Sequence, residues 1–141
     1  MAGPTSAQVT RIHVPAAAEH IATVRAFIGA VGRHAGCSEE TVDDLRLAAT
    51  ETCAQAIAEG TASDGIEVRA AFVDGTFVLE IEPAPRFRAS PVPTDPLDPS
   101  SGERRRALVS ALFPDVRILA TDDGPPSLRI AAPVEDAPPA L

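Results

Sequence analysis

The side chains of this 141-residue chain that could do chemistry are two thiols, three imidazoles and two clusters of charge. Cys37 and Cys53 are too few and too far apart for a zinc site or a redox pair, which reads them as two reduced thiols. His13 falls on a strand, and His20 and His34 lie fourteen residues apart on one helix. None has a metal-ligand spacing, so they read as surface or core-edge residues. A Ser–His–Asp grouping has no local signature, because no nucleophile-elbow motif is present. Arg104, Arg105 and Arg106 could grip phosphate or could form the solvated start of a helix. Cations at a helix N-terminus oppose its dipole, which points to an external partner for them. Glu39, Glu40, Asp43 and Asp44 suit the first turns of a helix and also make an acidic patch.

Periodicity supplies the elements that would position these groups. Val9 to Val14 alternates as a strand and stops at Pro15. Ala17 to His34 reads as a helix with Ile21, Val24, Ile28 and Val31 on one stripe, stopped by Gly36. Ser38 is the expected N-cap of a second helix, with Val42, Leu45, Ala49, Cys53 and Ala56 inward and Gly60 at its end. Ile66 to Phe72 and Thr76 to Glu82 read as a hairpin turned by Asp74-Gly75. In it Ile66, Val68, Ala70 and Phe72 alternate, and Phe77, Leu79 and Ile81 share one face. Pro83 to Gly102 holds six prolines and no periodicity, which predicts a long loop. Glu103 to Phe113 is a short helix with Leu108, Ala111 and Leu112 inward. Val116 to Ala120 and Ser127 to Ala132 are strands around a turn at Asp122 to Pro126. The expected architecture is an α+β two-layer sandwich, a mostly antiparallel sheet with helices on one face. It forms a single domain over 9–132, with flexible ends at 1–8 and 133–141.

Composition excludes several functions. The net charge is −8, with twelve Arg, no Lys and twenty acids. That sign opposes a general nucleic-acid binder, which needs clustered cations. Trp and Tyr are absent and Phe numbers five, so stacking on bases is nearly excluded. No apolar run approaches the ~20 residues of a membrane span, and no secretory signal is visible; a cytoplasmic location is expected. Ala and Arg richness suggests a GC-rich bacterial genome.

The run Val42-Asp43-Asp44-Leu45-Arg46-Leu47-Ala48-Ala49-Thr50-Glu51-Thr52-Cys53-Ala54-Gln55-Ala56-Ile57 resembles the N-box helix of RsbW- and SpoIIAB-type anti-sigma factors, members of the histidine-kinase-like (GHKL) ATPases. Thr23 to Ile28 is similar to that family's first helix, and Leu108 to Val116 to its last helix and the strand beyond. The resemblance spans about 9–132. It implies a protein that binds a sigma factor and, in many members, phosphorylates a serine of a small STAS-type antagonist with ATP and Mg²⁺. By the resemblance Glu51 is the general base and Gln55 takes the place of the magnesium-holding Asn. The two stand at i and i+4, so they share one helix face. Gln keeps the amide oxygen but sets it one methylene further out, and Mg²⁺ tolerates poor octahedral geometry badly.

The glycine boxes of the family are altered. The three positions of the first fall on Pro83, Pro85 and Phe87; sliding the register brings Glu82 to the carboxylate position without restoring the glycines. The two glycines of the second fall on Glu103 and Arg105, with Gly102 the remaining glycine. The 83–102 loop stands in place of the ATP lid.

The resemblance therefore predicts an anti-sigma factor acting by contact alone, with no cofactor and candidate contact points at Arg25, the acidic patch and Arg104 to Arg106. A homodimer is expected by analogy. An alternative is an active serine kinase using Glu51, Gln55, ATP and Mg²⁺. A third reading is a regulatory domain that has exchanged the sigma surface for another protein, since fold alone does not settle function.

Overall fold

The computed structural model describes residues 8–86, 102–121 and 124–134. Expectations for the flexible N-terminus 1–8 (save Gln8), the body of the 83–102 loop, Phe87, the Asp122–Asp123 part of the turn and the tail beyond Val134 lie outside the described residues.

Five strands make one sheet in the order β1-β2-β3-β5-β4, and every neighbouring pair is antiparallel. The strands are β1 (Thr10–Val14), β2 (Ile66–Val73), β3 (Thr76–Glu82), β4 (Arg117–Thr121) and β5 (Gly124–Pro133). Helices α1 (Ile21–Ala35), α2 (Glu39–Glu59) and α3 (Gly102–Leu112) complete the described elements. A 3-10 turn at Ala18–His20 precedes α1, so the first helix starts later than the Ala17 expected from its pattern.

Strand register explains the two layers. Ile12, Val68, Ile81 and Leu128 align across four strands, and Ala70, Leu79 and Ile130 form the next row. With Phe77 and Ala132 these are the inward positions, and they pack with Val24 and Ile28 of α1 and Leu45, Ala49 and Cys53 of α2 in one core. The opposite face carries Arg11, Arg69, Glu80 and Arg129 in one row. Alternation of apolar and polar residues therefore sorts core from open face. On the open face Arg69 lies within ion-pair distance of Glu67, Glu80 and Glu82. Burial opposes its charge, but the hydrogen bond to Glu67 and the fields of the three carboxylates outweigh it and raise its pKa.

Local signals account for the ends. Ser38 Oγ accepts from the Thr41 backbone N–H at 3.1 Å and caps α2. Asp74 and Gly75 turn the β2–β3 hairpin with φ of 50° and 79°, as a two-residue primed turn requires. Gly36 and Gly60 close α1 and α2 in left-handed conformation.

Three expectations need correction. Phe72 shares the inward face with Phe77 but is 46% exposed, because the pairing of β1 with β2 ends at Ala70, two residues short of it. The turn expected at Asp122 to Pro126 gives way to strand from Gly124. Pro125 and Pro126 fit there because the β4–β5 register shifts between Leu119 and Thr121, and proline is tolerated at such irregularities. In α3, Leu108 and Ala111 are exposed, while Gly102 and Val109 are buried and Leu112 is half-buried. The helix is rotated from its expected setting, and Arg105 lies on its inner side.

Candidate functional site

The flank of α2 that meets α3 carries Glu51, Gln55 and Glu59, one every four residues and so stacked along one face. Gln55 is 4% exposed. A polar side chain so placed needs partners, and it has two: its Nε2 donates to Glu59 Oε2 at 2.8 Å and its Oε1 accepts from Arg105 Nη1 at 3.2 Å. Arg105 Nε lies 3.3 Å from Glu51 Oε2. That contact is an ion pair and not an aligned hydrogen bond, for the Nε is buried and makes none. The Arg105 and Glu51 side chains are 18% and 25% exposed. The Arg86 backbone N–H donates to Glu59 Oε1 and ties the chain leaving β3 into the same network.

The structure thus brings Glu51, Gln55 and Arg105 together and disperses the other candidates. Arg104 and Arg106 are exposed, so the arginine run is not wholly a solvated helix start: its middle member turns inward. Arg25, exposed on α1, donates from Nη1 to Thr50 Oγ1 at 2.9 Å across the α1–α2 seam. Gly102 is buried as the first residue of α3. Glu51 and Gln55 are not free helix residues, since both are engaged by α3. In the acidic patch Glu39 pairs with Arg33 at 2.9 Å and Asp43 with Arg46 at 3.5 Å. The hydrogen bond from Arg33, aided by the charges of Arg33 and Arg46, lowers the Glu39 pKa against the opposing effect of desolvation.

Beyond β3 the Ala84 N–H donates to Pro126 O at 2.7 Å, which extends the strand pairing past Pro83, and Ala84 and Pro85 are both buried. Glu82, the carboxylate of the slid register, sits in the Arg69 cluster on the open face, away from the helices. Sequence reasoning missed Glu59 and Arg86. The signal for Glu59 was the four-residue spacing continued by one step; nothing local marked Arg86. Both cysteines are free and buried, and burial pushes the Cys53 thiol up to about 12. No group of three metal-ligating side chains occurs among the described residues.

A helical layer on one face of an antiparallel sheet is the architecture of the family to which the sequence assigns the chain. The sequence pattern of the histidine kinase-like ATPase domain matches residues 14–131, and the chain belongs to that family. Among solved structures it is similar to the RsbU and RsbW domains of Rv1364c from Mycobacterium tuberculosis, with a TM-score of 0.64 and 21% identity over 90% of this chain. The match covers 32% of that protein's chain. No curated protein matches. Among the described residues no helix is long and apolar enough to cross a membrane.

Proposed function

We propose that this chain is an RsbW-like anti-sigma factor that regulates transcription initiation by binding a sigma factor, its STAS-type antagonist, or both, without ATP chemistry. The observation that carries the reading is the Arg105 guanidinium seated between Glu51 and Gln55. A magnesium ion requires a near-octahedral set of oxygens and dehydrates reluctantly. Here the amide oxygen that would ligate it accepts from a cation, and the neighbouring carboxylate faces the same cation. A divalent ion has no place in this set unless Arg105 leaves, so the residues present do not fit magnesium nucleotide.

Two further features support the reading. Pro83 and Pro85 stand where a nucleotide-binding loop would need flexible backbone, and the segment between them is paired to β5. The net charge of −8 complements a basic partner and would speed encounter with one.

The test is co-purification of the chain with each sigma factor of its host, with nucleotide removed by apyrase. A complex that forms under those conditions and gains nothing from added Mg-ATP is the expected result. Retention of no sigma factor and no antagonist would remove the proposal. Phosphate transfer from labelled ATP to an antagonist serine would replace it with the kinase reading.

A further inference from the structure

On the flank of α3 next to Arg105's, a cleft of about 210 Å³ opens between that helix and strands β4 and β5. Its apolar wall includes Val109, Ile118 and Leu128, and Arg86 and Arg106 stand beside it; Arg117, paired with Arg129, carries its side chain on the opposite face of the sheet. Glu51 and Gln55 do not line it. Ile118 is 51% exposed, a large aliphatic side chain left open to solvent on the outermost strand.

The arginines are the second observation. Acids outnumber bases in this chain by twenty to twelve, and Arg33, Arg46, Arg69 and Arg105 each have a carboxylate partner. Among the described residues the Arg86 and Arg106 side chains have none. Two unpaired guanidinium groups beside an apolar hollow, on an acidic molecule, are a local positive site complementary to carboxylates.

Size narrows the occupant. Small-molecule sites typically run to about 300–1,000 Å³, whereas a hole of about 150 Å³ holds a benzene-sized group. The cleft therefore suits one inserted side chain and not a nucleotide. We propose that it docks an acidic segment of a protein partner. One apolar side chain of that segment enters against Val109, Ile118 and Leu128, and flanking carboxylates engage Arg86 and Arg106. Arginine binds carboxylate through two parallel N–H donors, and a buried anchor ringed by such contacts is the usual energetic centre of an interface. Among the described residues β4 is an outer strand of the sheet, so an extended segment can also pair with its outer edge. Nucleic acid is disfavoured by the net charge and by the absence of an aromatic side chain among the described lining residues. The inference stands whether or not the partner is a sigma factor.

The experiment is selection of short random peptides displayed on phage against the full chain, followed by titration of the best synthetic peptide. The expected consensus is one Leu, Ile, Phe or Met flanked by Asp or Glu. Arg106→Glu and Ile118→Ser, both at exposed positions, should each weaken binding tenfold or more while leaving the circular dichroism spectrum unchanged. Amide shifts should concentrate at 106–110 and 116–118. The proposal is overturned if no peptide is enriched, if the consensus lacks acids, or if both variants bind as the parent does. It is also overturned if an oligo(dT) strand displaces the peptide and binds there more tightly.

Discussion

Arg105 faces a choice of environments that its neighbours Arg104 and Arg106 do not. It leaves water for a site where one carboxylate and one amide oxygen share its charge, and its Nε remains without an aligned hydrogen bond. Pairs of this kind contribute little net stability, because desolvation offsets much of the attraction. Removing one partner is different, since it strands the other. Arg105→Ala leaves the Gln55 oxygen without its donor and the Glu51 carboxylate without its ion-pair partner, and should lower the unfolding free energy by about 1–3 kcal/mol. Arg105→Met combined with Glu51→Leu should be less damaging than the two single changes added together. Urea unfolding of the four proteins measures this directly, with a coupling above about 0.5 kcal/mol expected. Strict additivity would mean that the two side chains do not sense one another in solution, and the plugged site would lose its basis.

At the scale of elements, α2 and the β2–β3 hairpin were legible and α3 was not. In α2 the apolar stripe, the Ser38 cap and Gly60 all speak for the same helix. In the hairpin Asp74-Gly75 sets the turn, and alternation sets the face. In α3 the local pattern favours Leu108, Ala111 and Leu112, yet the inner row is Gly102, Arg105, Val109 and Leu112. A hydropathy pattern discounts that row because it contains an arginine. What makes Arg105 an inner residue is a pair of side chains fifty-odd positions earlier, and no local rule reports a partner so distant. The connection into β2 shows the reverse case, a single residue dictated by its neighbours. Gly65 has φ of +101°, and a Cβ there would lie 2.9 Å from the Val14 carbonyl oxygen, which is backbone and cannot swing aside. Gly60 also has positive φ, +77°, but nothing lies within 4 Å of its Cβ position. Gly65→Ala should therefore cost more than Gly60→Ala, the latter near the roughly 1–2 kcal/mol of left-handed backbone alone. Urea midpoints with unchanged m-values would establish the order. Equal losses would show that the turn relaxes away from β1.

For the whole molecule, the sheet separates two kinds of surface. One face carries the core and all three helices, and the other is laced with arginine and glutamate. The two sites described here meet at α3, where one flank is closed by Glu51 and Gln55 and the next is an open cleft beside unpaired arginines. That division predicts what ligands can do to global stability. A ligand that binds only the native state adds RT ln(1 + [L]/Kd). With Mg-ATP at ~50 times a submillimolar Kd, the gain would be about 2.3 kcal/mol. For a chain of this size such a gain raises the melting temperature by roughly 5–9 °C. If Arg105 holds the place of the cation, scanning calorimetry should show no rise with millimolar Mg-ATP beyond that given by Mg²⁺ with an equal ionic strength of salt. An Arg105→Ala protein, weaker on its own, should then be the form that gains from the nucleotide. A rise of several degrees in the parent protein would mean that Arg105 yields readily, that the pair on α2 still receives a metal, and that the closed flank is a gate rather than a plug.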